Sequence, residues 1–479
     1  MKRSGYRDLM PAIATLADEL TELLGADAVR TDEATLDSTS HDASPMTTKW
    51  SRQGRHPYRA DIVVAAHDTW DVVTVLRAAR AAAVPVTPRA LGSSVTGQPL
   101  PTSGGIVLDV SGLEADTIVD EVNLTVTVPA SRLGSELEDQ LNAGGYTLGH
   151  SPQSLYRSSV GGWLATLATG QFSSYYGGIE DLVQGYTVVL ADGHVAGLTA
   201  SPRKAMGPDL RQLFIGSEGT LGVIVSVTLK IFPLPQTRLL ETYALPSIHA
   251  GLAALREQAA LGLRPFLLRF YDTDEARHAM QDQAFDSPVL FAGTQGESRL
   301  AGTELELLGE IIARHGGRTL GAAGAEHWMA TRFDFSSIEN LLAEDGGFGE
   351  TIEVAHSWRH IEALYAALKA ALSPLADEVL GHFSHVYKQG TSLYMILLGR
   401  AADDDAAIAR IEQIWRVAME LCLDHGAELS HHHGGGLIRS PYASRSLGTA
   451  HPVLQRLKDG LDPDGLLNPG KLGLRPGRA

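Results

Sequence analysis

The chain has 479 residues, of which 44% are hydrophobic and 20% charged, and its formal net charge is -17. This length predicts two or three domains with a large buried core. The negative charge argues against a nucleic-acid partner, whose phosphates it would repel, although local arginines can still bind a small anion.

The cysteine content and the hydrophobic pattern indicate a cytoplasmic protein. Cys422 is the single cysteine, which excludes an internal disulfide and suits a reducing compartment. No apolar run reaches the roughly 18 residues that a transmembrane helix requires. Residues 1–5 include a basic pair, but the apolar core of a signal peptide does not follow them.

Residues 1–56 are predicted to form a helical extension. Apolar side chains recur near helical spacing between residues 8 and 30, at Leu9, Ile13, Leu16, Leu20, Leu23 and Leu24. Residues 40–55 are polar and are expected to be irregular. Within them, residues 41–44 are expected on a surface loop, with a place over a cofactor as the alternative.

From Tyr58 onward, short strands and helices alternate. Strands are expected at 61–66, 84–87, 106–110 and 117–128, and helices at 68–83 and 131–143. The loop at 88–97 follows one of these strands. Consecutive backbone N–H groups in such a loop form a concavity for phosphate oxygens.

The stretch 149–193 is rich in glycine and in short hydroxyl side chains. Gly161 and Gly162 allow the backbone to approach a flat ligand closely. Hydroxyl groups surround them at Ser154, Ser158, Ser159, Thr166 and Thr169. A strand at 186–190 and a turn at 191–193 follow. We therefore predict one wall of a cofactor site, with a structural glycine-rich hairpin as the alternative.

The second half also alternates between strands and helices. Strands are expected at 243–245, 265–270, 379–386 and 392–398, and helices at 248–260, 304–315, 358–371 and 405–425. Period-two alternation from Ser392 places Tyr394 on the face opposite Leu393 and Met395. A tyrosine that projects into a cleft can donate or accept a proton, and a half-buried structural tyrosine is the alternative.

Three adjacent histidines, His431, His432 and His433, precede three glycines. In an extended chain they cannot all point one way, so we predict no metal site here. One or two of these imidazoles are expected to face a substrate as proton carriers or hydrogen-bond donors. A polar surface loop is the alternative.

Two motifs resemble the FAD-binding domain of the vanillyl-alcohol-oxidase (PCMH) type: the stretch 149–193 and the segment 216–224, at the distance that the family requires. The resemblance implies an α+β fold, in which a two-subdomain PCMH-type FAD-binding domain at 57–235 precedes an α/β FAD-linked-oxidase C-terminal substrate domain at 236–460. It also implies that residues 461–479 return to the FAD domain.

The resemblance implies that FAD is the cofactor and which residues hold it. In the family, the loop at 88–97 holds the pyrophosphate and has three successive glycines. Here Ala90 and Leu91 replace two of them, which a negative φ at both positions would permit. We expect non-covalent attachment, because the loop has no histidine and Cys422 lies outside both motifs. The expected FAD contacts are Pro88, Arg89, Ala90, Leu91, Gly92, Ser93, Ser94, Gln153, Ser154, Ser158, Ser159, Gly161, Gly162, Thr166, Thr169, Glu218, Gly219, Gly222, Val223 and Ile224.

The histidine run, its glycines and the strand before them resemble the alkyldihydroxyacetonephosphate synthases within this family. That resemblance implies Tyr394 as the catalytic acid/base, the histidine run as active-site residues and Arg269 as important for activity. The expected substrate-binding residues are Arg359, His360, His385 and Arg439. Two positions depart from the synthase pattern, since Arg359 directly follows Trp358 and Leu437 replaces a lysine.

The implied reaction is an exchange of the acyl group of acyl-dihydroxyacetone phosphate for a fatty alcohol through a flavin N5 adduct, a step of ether lipid synthesis. The alternative is an FAD-dependent dehydrogenase or oxidase that transfers hydride from a 2-hydroxy acid or alcohol to N5. A flavin-binding protein without activity is the third interpretation. The expected partner is a small-molecule or lipid-phosphate substrate, and the sequence leaves a homodimer open.

Overall fold

The computed structural model describes residues 6–475, with side chains from Ile13 onward. The expectations for residues 1–5 and 476–479 lie outside the described residues. The helices are α1 (Tyr6–Leu24), α2 (Glu33–Ser38), α3 (Pro45–Arg52), α4 (Thr69–Ala81), α5 (Gly134–Ala143), α6 (Val160–Thr166), α7 (Ser173–Tyr176), α8 (Ile179–Leu182), α9 (Arg211–Phe214), α10 (Ile248–Leu261), α11 (Thr273–Ala279), α12 (Ser298–Arg314), α13 (Ala323–Thr331), α14 (Ser336–Ala343), α15 (Ile361–Leu372), α16 (Asp404–Asp424), α17 (Gly436–Arg439), α18 (Ala443–Leu447) and α19 (His451–Leu461).

The strands divide between the two halves of the chain. They are β1 (Val29–Arg30), β2 (Ile62–Ala65), β3 (Val86–Arg89), β4 (Ile106–Asp109), β5 (Ile118–Asp120), β6 (Thr125–Pro129), β7 (Tyr146–Thr147), β8 (Val183–Val189), β9 (Val195–Leu198), β10 (Val223–Lys230), β11 (Phe232–Pro233), β12 (Thr237–Ala244), β13 (Leu267–Tyr271), β14 (Val289–Gly296), β15 (Arg318–Gly321), β16 (Gly347–Ser357), β17 (Glu378–Val386) and β18 (Gly390–Arg400). Within residues 6–475, no helix is both long and apolar enough to cross a membrane.

The first half contains two sheets. A four-stranded sheet has the order β1-β2-β4-β3, in which β2, β4 and β3 run parallel, and a five-stranded antiparallel sheet has the order β5-β6-β10-β8-β9. Asp68 caps α4, because its carboxylate accepts hydrogen bonds from the backbone N–H groups of Trp70 and Asp71. The mixture of helix and sheet agrees with the predicted α+β class.

The prediction that residues 40–55 are irregular is wrong, because residues 45–52 form α3. Ser44 caps this helix by accepting a hydrogen bond from the backbone N–H of Thr47 at 3.3 Å, and Pro45 occupies its first turn. Lys49 is fully buried and forms a 2.5 Å ion pair with Asp404 of α16. The polar composition therefore reflects polar groups that are paired inside the protein rather than exposed on a loop.

The second half is built on a seven-stranded sheet of order β15-β12-β14-β13-β17-β18-β16, in which every pair is antiparallel. The helices α10, α12, α15 and α16 cover one face and share a hydrophobic core with it. Leu393 and Met395 of β18 are fully buried in that core. The predicted alternation is thus confirmed, and Tyr394 is on the opposite face.

The end of the chain lies beside the first sheet. The backbone N–H of Val86 in β3 donates to Leu466 O at 2.9 Å, and the N–H of Asn468 donates to Val86 O at 2.8 Å. The ammonium group of Lys471 is buried and donates to Leu100 O at 2.8 Å. These contacts hold the region around residue 470 against the loops that follow β3.

Candidate active site

A cavity of about 710 Å³ lies between the first half of the chain and the open face of the seven-stranded sheet. Every residue that the sequence analysis assigned to FAD lies on its wall. The wall also includes five residues of the sheet half that were assigned to catalysis or substrate, namely Arg269, His385, Tyr394, His432 and His433. Two motifs and one sheet face therefore surround a single space.

The loop after β3 fits a pyrophosphate. Among the described residues, the backbone N–H groups of residues 90–94 donate to no protein acceptor, so they are free to bind anionic oxygens. Gly92 has a φ of 64°, whereas Ala90 and Leu91 are not among the residues with positive φ. The loop therefore forms with one glycine where the family has three. The Arg89 guanidinium, whose pKa is lowered by burial, adds a cation beside it.

The glycine-rich wall uses several of its polar groups to hold its own shape. Ser159 caps α6 by accepting from the N–H of Gly162, and Ser158 Oγ accepts from the Trp163 indole N–H at 2.8 Å. A Cβ at Gly161 would lie 2.6 Å from that of Ala130, so this glycine permits close backbone packing. These positions line the cavity, but some of their hydroxyl groups are already hydrogen-bonded within the protein, and a cofactor wall here stays a prediction.

The sheet presents a row of polar side chains to the cavity. Tyr394 of β18 pairs with Glu353 of β16 on one side and with His382 of β17 on the other, so all three share a face. The His382 ring stacks on Tyr394 with a centroid distance of 4.9 Å and an interplanar angle of 13°. Burial raises the pKa of Tyr394 to about 12, so its phenol is a neutral proton donor near pH 7.

His382 links the buried carboxyl group of Glu275 to the buried guanidinium of Arg269. Its Nδ1 lies 2.8 Å from both carboxylate oxygens of Glu275, and its Nε2 lies 2.7 Å from Arg269 Nη2. Because a guanidinium only donates, Nε2 must accept and the ring proton must reside on Nδ1. Burial and then Arg269 lower the pKa of His382, and burial raises the pKa of Glu275 to about 8. The sequence analysis missed both Glu275 and His382.

Glu353 holds the histidine run in place. Its fully buried carboxylate accepts the backbone N–H groups of His431, His432 and His433, and it forms an ion pair with Arg439, whose Nη2 lies 3.0 Å from Oε1. Burial alone would raise the pKa of Glu353, but Arg439 and the histidines outweigh it and hold the pKa below its ordinary value. The loop therefore wraps around a permanent anion, and a surface loop is excluded.

The three histidines take different positions. His432 and His433 lie on the cavity wall, whereas His431 lies behind His432, with 2.8 Å between their Nδ1 atoms. Burial lowers the pKa of His431 and His432 to about 3 and that of His433 to about 4, so all three are neutral near pH 7.

The loop is bent rather than extended, which changes the argument about a metal. Ring nitrogens of His385, His431 and His432 lie within 4.8 Å of one another, a spacing that would admit an ion. The Nδ1 atoms of His431 and His432 are, however, already hydrogen-bonded to each other.

Three residues assigned to the substrate lie away from the cavity. Arg359 and His360 are exposed beyond the carboxyl end of β16, because this strand continues to Ser357 and carries the following turn past the sheet. Arg439 is buried against Glu353 and the ring of Trp415. Of the predicted substrate-binding residues, only His385 lies on the wall.

Two polar groups on the wall were missed by the sequence analysis. Arg332 follows α13, and in residues 6–475 it has no carboxylate partner and its Nε atom has no hydrogen bond. Gln171 is 7% exposed, and neither end of its amide has a partner. Unpaired buried polar groups of this kind fit an anionic or polar ligand.

The cavity also has an apolar limb. It begins at Tyr394 and continues along the same face of β18 through Ile396 and Leu398. The remaining apolar side chains of the limb are Ile338, Leu342 and Leu380. Alternation from Tyr394 would have placed Ile396 and Leu398 on this face from the sequence alone.

Comparison with known proteins agrees with this geometry. A model of the FAD binding domain matches residues 60–199, and a model of the C-terminal domain of FAD linked oxidases matches residues 234–472. The chain is 33% identical over 476 residues to the uncharacterized FAD-linked oxidoreductase YgcU of Escherichia coli (strain K12), covering 96% of this chain and 98% of that one. It is 28% identical over 451 residues to the alkyldihydroxyacetonephosphate synthase of Caenorhabditis elegans, covering 86% and 76% of the two chains.

A solved alkyldihydroxyacetonephosphate synthase shares the fold, with a TM-score of 0.79 and 23% identity over 95% of this chain and 84% of that chain. The two family models together span most of the sequence, and their boundary falls between the first half and the seven-stranded sheet half. The chain is therefore a member of the FAD-linked oxidase family, an FAD-dependent enzyme whose cofactor domain and C-terminal domain enclose one cavity.

Proposed function

We propose that this enzyme exchanges the acyl group of acyl-dihydroxyacetone phosphate for a fatty alcohol, as an alkyldihydroxyacetonephosphate synthase does. The observation that carries the proposal is the position of Tyr394, between neutral histidines and the apolar limb. A phosphate ester with a long chain needs both a cation and an apolar channel. Arg269 and Arg332 supply cationic groups on the same cavity wall.

Each residue has a defined task in this proposal. FAD, when bound, supplies the reactive ring on which the exchange depends. The Tyr394 phenol lies 5.7 Å from the His433 ring and 6.1 Å from the His432 ring, centroid to centroid, so it can move a proton at the substrate carbon while the imidazoles bind the entering and leaving oxygens. Arg332 binds the phosphate, because no protein carboxylate in residues 6–475 neutralises it.

The apolar limb accommodates the alkyl chain. Four residue steps along β18, from Tyr394 to Leu398, extend about 13 Å at about 3.3 Å per residue. That length fits an extended alkyl chain of roughly ten carbons. The limb continues from Tyr394 along the same sheet face, so the reacting oxygen of an alcohol would sit at Tyr394 while its tail extends toward Leu398.

The second candidate is an FAD-dependent oxidation of a 2-hydroxy acid or alcohol. Two observations favour it: the FAD-linked oxidoreductase relative, and the neutral imidazoles of His385 and His432, which can accept a hydroxyl proton. In that reaction Arg332 would bind the carboxylate of the substrate. The apolar limb would then stay unused by a short hydroxy acid.

One pair of assays separates the candidates. Purified holoenzyme is given acylated dihydroxyacetone phosphate with a radiolabelled fatty alcohol, and separately a panel of hydroxy acids and alcohols under anaerobic conditions. Labelled ether product without lasting loss of flavin absorbance supports the exchange, whereas bleaching by a hydroxy substrate without ether product supports the oxidation. Tyr394→Phe should abolish the exchange and keep the flavin bound. Tyr146→Phe, which changes a tyrosine of β7 outside the cavity wall, is its control.

FAD attachment in this proposal is non-covalent and the location cytoplasmic. Cys422 is fully buried in the core of the sheet half, so its thiol does not face the cavity. The phosphate loop offers no histidine. Acid or heat should release all of the flavin into the supernatant, and flavin that stays with the precipitated chain would contradict the assignment.

A further inference from the structure

The loop that carries the three histidines, residues 430–438, is held by the FAD-binding half of the chain as well as by the sheet half. The backbone N–H of Gly435 donates to Glu218 Oε1 at 2.6 Å, and that of Gly436 donates to both Glu218 carboxylate oxygens, at 3.1 and 3.0 Å. Glu353 accepts the N–H groups of preceding residues of the loop. Glu218 and Glu353 are 4% and 0% exposed, so two buried carboxylates from opposite halves of the chain hold one histidine loop.

The phosphate loop and the residue after it also contact the histidine loop. Thr96 O accepts the backbone N–H of Leu437 at 2.7 Å, and Gln98 Nε2 donates to His433 O at 2.6 Å. Thr96 is fully buried and lies two positions after residues 90–94, the part of the phosphate loop that fits a pyrophosphate. The segment that fits the cofactor therefore continues directly into the segment that holds the histidine loop.

Two glycines of the histidine loop make this close approach possible. A Cβ at Gly434 would lie 2.6 Å from Glu218 Oε1, and a Cβ at Gly436 would lie 2.0 Å from Thr96 O. Their φ angles are 81° and 52°, in the left-handed region that favours glycine. The absence of side chains at these two positions therefore allows the histidine loop to dock on the FAD-binding half.

Glu218 lies on the cavity wall, in the second motif that resembles the FAD-binding family, but each of its polar groups is already hydrogen-bonded within the protein. Its backbone N–H donates to Ala165 O at 2.8 Å, and its carbonyl oxygen accepts from Asn468 Nδ2 at 2.6 Å. Its carboxylate is bonded to the histidine loop. A direct contact between Glu218 and FAD stays a prediction, whereas its side chain links the cofactor wall to the loop.

We propose that Glu218 is a positioning residue that couples occupancy of the flavin site to the position of the catalytic imidazoles. The inference rests on the proposed acid–base role of His432 and His433, whichever of the two reactions the enzyme performs. Residues 90–94 and 218–224 line the cavity, so binding of the cofactor there orders Glu218, and Glu218 orders the histidine loop. Because coupling between two sites is reciprocal, docking of the loop on Glu218 also strengthens the binding of FAD.

Hydrogen exchange measured by mass spectrometry observes the N–H groups of the histidine loop without requiring turnover. The holoenzyme and the same protein after flavin release are compared for exchange in the peptide that contains residues 430–438. Bound flavin should slow this exchange in the wild type, whereas Glu218→Ala should exchange fast and equally in both states. Gly434→Ala breaks the same contact from the loop side and should behave alike. In both variants the dissociation constant of FAD, measured from the fluorescence of released flavin, should rise roughly 5- to 150-fold, as is usual for coupled sites.

Thr220→Val is the matched control, because Thr220 is 1% exposed in the same segment and its hydroxyl donates to Ser217 O rather than to the histidine loop. It should keep the exchange and the FAD affinity of the wild type. Exchange across the rest of the chain shows whether each variant is folded. If Glu218→Ala is not folded, Gln98→Leu removes the bond to His433 O and should reduce the flavin dependence in part.

A purely structural role of Glu218 would change the exchange of the histidine loop equally with and without flavin. The proposal is therefore overturned if exchange in the wild type does not depend on flavin, or if the flavin dependence persists unchanged in the folded variants. A failure of both activity assays would reject the proposed reactions and leave the exchange result valid, so the two failures are distinguishable.

Discussion

The two walls of the cavity differ in how far the sequence alone determines them. Most of the wall from the FAD domain comes from three segments, at 88–94, 153–169 and 218–224, and every predicted residue of these segments lies on the cavity. The wall from the seven-stranded sheet is assembled from residues far apart in the chain, and several predicted residues are not on it. Local backbone geometry defines the first wall, and strand register defines the second.

Register decides which side chains meet across the sheet. Glu353, Tyr394 and His382 come from three different strands and become neighbours only because β16, β18 and β17 pair in this order. The spacing of residues in the sequence does not predict this order of strands. We therefore expect substitutions of Glu353, Tyr394 or His382 to change stability or activity strongly, because each side chain contacts residues that are distant in the sequence.

The largest effect is expected for Glu353→Gln. This change keeps the volume but leaves the buried Arg439 guanidinium without its anion, which typically costs about 3–5 kcal/mol of unfolding free energy. One of the two carboxylate oxygens becomes an NH2 group, so the histidine loop loses the acceptor of one or two of its three backbone N–H groups, and turnover should also fall below detection. Urea unfolding and either activity assay measure these effects.

Glu420→Gln is the control for Glu353→Gln, because its partner Arg445 is exposed and exposed ion pairs contribute about 0–1 kcal/mol. Equal stability of the two variants would show that Glu353 is not the anchor of the loop.

The next effect concerns Glu275 and pH. Burial raises the folded pKa of Glu275 from 4.5 to about 8, so its favourable protonated contribution is complete below pH 4.5 and is lost as the pH rises through 8. The wild type should lose up to about 1.4 kcal/mol per pH unit in that window relative to Glu275→Gln. Denaturant unfolding at pH 5 and pH 7.5 measures the difference. The carboxyl pKa of Glu257 is lowered instead, so the stability difference between the wild type and Glu257→Gln should not change between these two pH values. An equally constant difference between the wild type and Glu275→Gln would contradict the raised pKa of Glu275.

Arg332→Gln tests the anionic end of the cavity. Removal of an unpaired cation that binds a substrate anion should raise KM roughly 10- to 100-fold, corresponding to about 1.4–2.7 kcal/mol, and change kcat less. Initial-rate kinetics with the active substrate measure both constants. Arg299→Gln, which changes an exposed side chain in the first turn of α12, should leave KM unchanged. An unchanged KM in Arg332→Gln would move the anion site elsewhere on the wall.

Gly349→Leu tests the apolar limb. A Cβ at Gly349 already lies 3.4 Å from both Ile338 Cγ2 and Leu398 Cδ2, so a leucine side chain would fill the space between them. Long-chain alcohols should lose most of their rate, while short alcohols keep theirs. Gly302→Leu, a glycine of α12 with open space around it, should affect neither. A uniform loss for all chain lengths would indicate damage to the sheet rather than a shortened limb.

The sequence predicted the elements that local patterns encode and missed the groups that only tertiary contacts bring together. Period-two alternation correctly placed Tyr394 opposite Leu393, and the residues of the glycine motifs line the cavity. Glu275 escaped notice because it lies on α11 and meets His382 only through the pairing of β13 with β17. Residues 45–52 were misjudged because polar residues such as Lys49 find their partners 355 positions away.

The smallest effect is expected for Arg359→Ala, and it tests the boundary of the second wall. The resemblance assigned Arg359 to the substrate, whereas the structure places it on the exposed turn after β16. Since β16 ends at Ser357, this guanidinium lies beyond the sheet and outside the residues that line the cavity. Removing it should leave KM, kcat and flavin content within experimental error of the wild type. A large rise in KM would mean that the substrate extends past the sheet edge, and strand register would then be a poorer guide to this wall than the family motif.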